Sequence, residues 1–248
     1  LAKHTSGTSK ILQLGADRDT TAVPFIGAES NHAFDIITNN TNRVRVDASG
    51  NVGIGTTGPS AALHISQTND GGDTAIILNN NAGVGSTDET VSLFFTHAGI
   101  AGGKIVAGRT FNYSTSANRD SNLQFFTTQN GTDTLALTLD ANQNVGIGIT
   151  PESDFLSTRT ALQIGGSGAI FGKKAKEAGG DLSIGQNVYF HSGGSFRRID
   201  EDEASIYIQQ NGTHTFSVAG SSTDNSEITF TSAMFIDNSG NVGIGTTS

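Results

Sequence analysis

The 248-residue chain has no cysteine, no tryptophan, one methionine and three prolines. Without cysteine there is no disulfide framework, no thiolate nucleophile and no zinc ribbon. Positive charge is scarce too: 14 Lys and Arg stand against 23 Asp and Glu, a net charge of −9. Nucleic-acid binding needs clustered positive charge, and an anionic lipid surface repels an acidic chain, so neither partner is expected. No apolar run approaches the length of a membrane span, no signal-peptide pattern is present, and no helical period is sustained. Short apolar and β-branched runs between turn signals predict an all-β fold.

Glycine is abundant, with 32 residues. It marks a string that occurs three times, Asn-Val-Gly-Ile-Gly from Asn51, Asn144 and Asn241. What precedes each copy is also similar: Val44-Arg45-Val46-Asp47-Ala48-Ser49-Gly50, Leu137-Thr138-Leu139-Asp140-Ala141-Asn142-Gln143 and Met234-Phe235-Ile236-Asp237-Asn238-Ser239-Gly240. Self-similarity at a spacing near one hundred residues is read before any other signal. Within each copy the apolar residues share parity across the turn. Equal parity on one face of a hairpin requires an odd-length loop. A three-residue loop, a type I turn closed by a left-handed residue, satisfies this. It predicts the pairs Val46 with Val52 and Val44 with Ile54, and places Gly50 and Gly240 at positive φ. Gln143 breaks the pattern, and either Asn142 supplies the left-handed residue there or the turn is strained.

The other face of the hairpin carries Gly53 and Gly55, then Gly146 and Gly148, then Gly243 and Gly245. Glycine repeated on one strand face signals close approach of another backbone. The expectation is approach by an identical neighbouring chain.

The repeats divide the chain into residues 1–57, the end of a first module, 58–150, a second, and 151–248, a third that stops inside the motif. The chain starts at Leu1 without methionine, so a longer parent polypeptide is expected. Strand candidates are Lys10–Leu14, Ala33–Thr38, Ala62–Ser66, Thr74–Asn79, Thr90–Thr96, Lys104–Arg109, Asn122–Thr128 and Thr134–Asp140. Asp70-Gly71-Gly72, Gly99–Gly103 and Asn130-Gly131 are expected to be turns, and Gly172–Gly179 a loop. Shared parity predicts odd loops in the hairpins flanking Asn130-Gly131 and Asn211-Gly212. Leu93-Phe94-Phe95 and Phe125-Phe126 do not alternate, so both faces of those strands are expected to be covered, in a sandwich or at a subunit contact. Ala161-Leu162-Gln163-Ile164 stands where Ala62-Leu63-His64-Ile65 stood. Modules this poor in apolar residues (35% overall) have thin cores, which oligomerisation supplements.

With Asp47-Ala48-Ser49-Gly50-Asn51-Val52-Gly53-Ile54-Gly55-Thr56-Thr57 and its two further copies in hand, the chain resembles the shaft region of bacteriophage tail fibres. In that family such modules lie upstream of an endosialidase-type intramolecular chaperone. The resemblance implies tandem β-rich modules (hairpins, small sandwiches or prisms) in an elongated homotrimer. Its expected partners are identical copies and other virion tail proteins, and its expected place is the virion, outside the cell. No chaperone lies within these residues, and Gln143 departs from the turn glycine.

No catalytic, cofactor or metal residue is assigned. The run Asp200-Glu201-Asp202-Glu203 has the residue type for glycoside hydrolysis, but contiguous acids point to alternate sides of a strand. A solvated loop, its acids paired in solvent with Arg197 and Arg198, explains it better. His4, His32, His64, His97, His191 and His214 show no ligand spacing. A trimer axis would gather three copies of one histidine, yet Gln163 stands at the place of His64. Asp70–Asp73 and Gly179-Gly180-Asp181 lack the period of calcium-binding rolls and read as turns. Gly83–Ser86 lacks the lysine and helix of a phosphate loop. The expected function is structural, a fibre shaft segment rather than an enzyme. A host-surface glycan-binding module built from the variable interiors is the alternative, and a polysaccharide-degrading tailspike ranks below both.

Overall fold

The computed structural model describes residues 12–16, 24–28, 31–68 and 70–246. Strands account for 48% of the chain, and the helical content among the described residues is a single 3-10 turn at Ser116–Asn118. The all-β expectation holds. The chain divides into two compact units, Leu1–Ile77 and Leu78–Ser248.

In the first unit, β1 (Leu12–Ala16) pairs antiparallel with β2 (Pro24–Ala28). Lys10, at the start of the expected first strand, lies outside the described residues. A separate four-stranded sheet follows in chain order: β3 (Phe34–Thr38), β4 (Thr41–Val46), β5 (Val52–Ile54) and β6 (Leu63–Ile65). The second unit contains β7 (Thr90–His97), β8 (Ile100–Arg109), β9 (Ser121–Gln129), β10 (Thr132–Leu139), β11 (Val145–Ile147) and β12 (Arg159–Ile164). It continues with β13 (Gly168–Lys173), β14 (Asp181–Gln186), β15 (Tyr189–Phe190) and β16 (Phe196–Arg197). The last strands are β17 (Ala204–Gln210), β18 (Thr213–Ala219), β19 (Thr231–Ile236) and β20 (Val242–Ile244). All but β15 and β16 join one twelve-stranded sheet in chain order, with β17 taking the place beside β14.

The repeated string forms the return strand of three hairpins with one register. Val46 faces Val52 and Val44 faces Ile54; Leu139 faces Val145 and Leu137 faces Ile147; Ile236 faces Val242 and Met234 faces Ile244. The turn is built by its own side chains. Asp47 accepts the N–H groups of Ser49 and Asn51 on one carboxylate oxygen and the Asn51 amide on the other. Asp237 does the same for Ser239 and Asn241, and Asp140 binds Asn144 through both oxygens. Gly50 and Gly240 sit at φ +87. In the middle copy Gln143 itself occupies the left-handed position, at φ +69. Of the two expectations, Asn142 does not turn and the strained one holds, because the Asp140 carbonyl still bonds the Gln143 N–H and fixes which residue must turn.

Each hairpin also carries a β-bulge at the same relative place, at Arg43, Ala136 and Ala233. The carbonyls of these three residues accept the N–H of Gly55, Gly148 and Gly245, all at 2.9 Å. Those glycines have φ between +68 and +73, so the second glycine of the string turns the chain off the strand onto the bulge.

The chain then crosses back and adds a parallel strand beside the string. Val52 faces Leu63 and Ile54 faces Ile65; Val145 faces Leu162 and Ile147 faces Ile164. Residues 55–62 and 148–158 make these crossovers, passing positions 58 and 151 without interrupting the sheet. The first glycine of the string gives the crossover room. A Cβ on Gly53 would lie 2.6 Å from the Thr56 oxygen, and one on Gly146 only 2.1 Å from the Ile149 oxygen. The close approach read from the sequence is real, but the approaching backbone belongs to the same chain.

The core sits in the second unit, on one face of β12, β13 and β17. Phe155, Ala161, Phe171, Val188, Tyr189 and Ile206 are buried there together, under the small β15–β16 hairpin. Phe155 meets Tyr189 edge-on at 5.5 Å between ring centres. Burying side chains of this size stabilises by roughly 1.5–3 kcal/mol each. Arg159 and Asp181 form a buried ion pair at 2.7 Å, and the Arg159 guanidinium lies 4.1 Å over the Phe190 ring.

Several expectations fail for definable reasons. Thr74–Asn79 joins no strand. The expected turn at Gly99–Gly103 is shorter: Ala98 and Gly99 turn at positive φ, and Ile100 already begins β8. Asn130-Gly131 and Asn211-Gly212 are two-residue turns with both residues at positive φ, not odd loops. In the β9–β10 hairpin the bulge at Ala136 restores the parity that the even loop removes. In β17–β18 nothing restores it, so Tyr207 faces Phe216 and Ile208 faces Thr215. Leu93, Phe94 and Phe95 are exposed, so among the described residues no sandwich covers them, and of the two expected covers the subunit contact is left.

Candidate functional site

Cross-strand pairing lines up one residue from each strand of the large sheet on a single face. From β7 to β12 the row reads Val91, Ala107, Leu123, Leu139, Val145 and Leu162. From β13 to β20 it reads Ile170, Ile184, Tyr207, Phe216, Met234 and Ile244. Every member is apolar or aromatic, and none is buried. Exposure runs from 37% at Leu139 to 79% at Ile244 among the large exposed ones. At the usual strand spacing the row extends roughly 50 Å along the ladder.

A second row lies beside it over β7–β12: Leu93, Ile105, Phe125, Leu137, Ile147 and Ile164. The four-stranded sheet shows the same two rows in miniature. Phe34, Val46, Val52 and Leu63 form one, and Ile36, Val44, Ile54 and Ile65 the other. The crossover glycines face the opposite side, where the chain covers itself. The string therefore builds a one-sided sheet whose apolar face is left open. A monomeric protein rarely exposes a continuous apolar strip of this extent without using it.

Over β17 and β18 the face becomes aromatic. Tyr207 stacks on Phe216 with ring centres 4.5 Å apart and on His214 at 5.9 Å, and the Tyr207 hydroxyl contacts His214 Nδ1. Tyr207, Phe216, Gln186, Ser205 and Ser217 line a shallow groove of about 420 Å³. A second groove of similar volume lies between the 79–84 segment and β7–β8. There Arg109 holds the loop, donating to the carbonyls of Ala82, Gly83 and Ser86 while paired with Glu89 at 3.4 Å.

The acidic run stands exposed. Its backbone, not its carboxylates, is the organised part. Buried Asn187, at φ +55, donates its amide to the carbonyls of Asp200, Asp202 and Glu203 and accepts the N–H groups of Ile199 and Asp200. Asp200 and Asp202 each accept the next residue's N–H. Arg198 does not pair with these acids in solvent. It is buried and donates to the Asp202 and Gly220 carbonyls and the Ser226 hydroxyl. The sequence reading missed Asn187, and an asparagine before Val188-Tyr189 carries no local signal of that role.

His4 lies outside the described residues. His64 Nδ1 accepts the Ser60 N–H at 3.3 Å, and His191 Nδ1 accepts the Gly193 N–H at 2.8 Å, with its Nε2 3.9 Å from Asp154. Among the described residues no three His, Asp or Glu side chains stand close enough to hold a metal ion. Asp181 of the expected Gly179–Asp181 turn proves to be the buried partner of Arg159. Near it in chain order, Tyr189 is pushed up to about 12 by burial, and its hydroxyl donates to Asn225 Oδ1 at 2.7 Å. Burial also raises Glu152, with Asp224 and Asp154 adding repulsion.

Compared with protein-family models and with curated protein sequences, the chain matches none.

Proposed function

We propose that the chain is a shaft segment of a bacteriophage tail fibre, a homotrimeric structural element of the virion that extends toward the host cell. The observation that carries this reading is the uncovered apolar row across all twelve strands of the large sheet. Three copies facing one another across that row would cover it. At ~1 kcal/mol for each half-exposed side chain, the row contributes on the order of 10 kcal/mol per copy. That offsets much of the rotational and translational cost of association. The threefold hairpin motif and its resemblance to fibre shafts point the same way. The role is mechanical: modules set reach, and interchain packing slows unfolding.

The test is sedimentation of the purified chain, alone and with Ile170→Asp. The reading expects a trimer at micromolar concentration that the substitution converts to a folded monomer. A native chain that sediments as a monomer would overturn it.

A second reading has one observation in its favour. The Tyr207–Phe216–His214 stack beside Gln186, Ser205 and Ser217 has the mix of flat aromatic and hydrogen-bonding groups that binds a host-surface glycan. It competes with the first, because the stack lies on the face that trimer packing would cover. Phe216→Ala abolishing host adsorption while leaving the assembly unchanged would favour it.

A further inference from the structure

β6 ends the four-stranded sheet of the first unit, paired with β5 on one side only. Its outer edge is ready to bond. The Val52 N–H donates to the Ala62 carbonyl and the Ser66 N–H to the Ile54 carbonyl, so the even-numbered residues of this stretch turn their backbone groups toward β5. Leu63 and Ile65 turn theirs outward, where no backbone group among the described residues bonds them. Across a groove of about 380 Å³ from Leu63, His64 and Ile65 stand Thr74 and Ile76. They belong to Thr74-Ala75-Ile76-Ile77, a run with the composition of a strand and, among the described residues, no backbone hydrogen bond. All four residues are exposed, Ile76 and Ile77 at 67 and 85%. Edge, groove and run lie together in the first unit, which ends at Ile77.

The third module shows what such a run does. There Ala161-Leu162-Gln163-Ile164 is followed by Gly168-Ala169-Ile170-Phe171; here Ala62-Leu63-His64-Ile65 is followed by Thr74-Ala75-Ile76-Ile77. Gly168–Phe171 lies antiparallel on β12, with Ile164 facing Gly168, Gln163 facing Ala169 and Leu162 facing Ile170. Carried over residue by residue, that register sets Ile65 opposite Thr74, His64 opposite Ala75 and Leu63 opposite Ile76. The pairs that exchange two hydrogen bonds are then those of Leu63 and Ile65, whose groups already point outward. The connection explains why the run stands open. Eight residues, 66–73, lead into it, where three, 165–167, lead from β12 into β13, and a longer loop costs more to close.

We propose that Thr74–Ile77 closes onto the outer edge of β6 as an antiparallel fifth strand of the first sheet, in the register of β12 and β13. Closure satisfies the edge with the chain's own backbone and withdraws a site of uncontrolled pairing. It also extends the apolar row Phe34, Val46, Val52 and Leu63 by Ile76, as Ile170 extends the row of the large sheet beyond Leu162. Open and closed forms therefore present different lengths of apolar face.

Because the chain has no cysteine, His64→Cys/Ala75→Cys isolates the contact with a directly opposed pair. Mild oxidation should close a disulfide within one chain at least tenfold faster than in His64→Cys/Ile76→Cys, whose side chains point to opposite faces. Amide exchange of the parent chain, read residue by residue, should be slowed at least tenfold at Leu63, Ile65, Thr74 and Ile76, with Ala75 and Ile77 at the unprotected rate. Ile76→Pro removes one of these four donors and should release Leu63 and Ile65. Unprotected exchange at Leu63 and Ile65 in the parent overturns the inference. A disulfide that forms only between chains, the mark of an edge filled by a second copy, or in neither way, also overturns it. So does slowed exchange at Ala75 and Ile77 in place of Thr74 and Ile76. These readouts stay within one chain, so a monomer by sedimentation overturns the assembly reading and leaves the closed strand standing.

Discussion

Gln143 holds the left-handed position that Gly50 and Gly240 hold in the other two hairpins. A non-glycine residue in that region costs about 1–2 kcal/mol, while glycine costs roughly 0.5–1 kcal/mol more to order. The difference predicts that Gln143→Gly stabilises by about 0.5–1 kcal/mol. The reverse changes, Gly50→Gln and Gly240→Gln, should cost a similar amount. A Cβ built on either glycine meets nothing within 4 Å, so the penalty is conformational and not a clash. The three turns are otherwise alike, each closed by an Asp–Asn pair, which makes them internal controls for one another. For a chain of this size 1 kcal/mol moves the melting temperature by about 2–4 °C. Thermal unfolding by circular dichroism, at one fixed concentration because association shifts the transition, should place Gln143→Gly above the parent and Gly240→Gln below it. If Gln143→Gly melts lower, or Gly240→Gln melts with the parent, left-handed strain does not govern these turns.

Gly146→Ala should cost about 2–3 kcal/mol in the same assay, because the new Cβ would sit 2.1 Å from the Ile149 oxygen and 2.9 Å from Pro151 Cδ; a neutral result would mean the crossover is free to move. Arg159→Met leaves the Asp181 carboxylate buried without its cation and should cost about 3–5 kcal/mol, with most of the loss recovered in Arg159→Met/Asp181→Leu. Hydrogen bonds from Asn51 and Asn241 hold Asp47 and Asp237 below their ordinary carboxyl range. Groups depressed in the folded state contribute stability above the unfolded value, near 3.9, and lose it as pH falls through the folded one. Acid titration of unfolding should therefore show a smaller loss below about pH 4 for Asp47→Asn/Asp237→Asn than for the parent. Glu152, raised by burial, works in the opposite direction in both proteins and cancels in the comparison.

The hairpin register was legible because it is local. Parity alone fixed which valine meets which, and the turn chemistry of Asp47, Gly50 and Asn51 lies within five residues. The same parity misled at Asn211-Gly212, where no bulge shifts the phase, and Phe216 went to the open face opposite Tyr207. The bulges at Arg43, Ala136 and Ala233 were hidden in the sequence, although each lies a constant twelve residues before the glycine that caps it. The parallel pairing of Val145 with Leu162 left only a trace, the likeness of Ala62–Ile65 to Ala161–Ile164. Nothing local distinguishes a strand that returns beside its predecessor from one that leaves. The apolar row was beyond reach for a similar reason: it takes one residue per strand, and only the assembled pairing brings Val91 and Ile244 onto one line.

The return strands β5 and β11 are each bonded on one side to the chain before them and on the other to the chain after the crossover. A protease cutting between Gly148 and Thr158 would break the polypeptide but not the sheet. β11 and β12 would still share three residue pairs, Asn144 would still accept the Ala161 N–H, and Lys174 would still reach the Asn142 carbonyl. The two fragments should travel as one species in a native gel and separate only in denaturant. Scission at the surface is thereby made harmless.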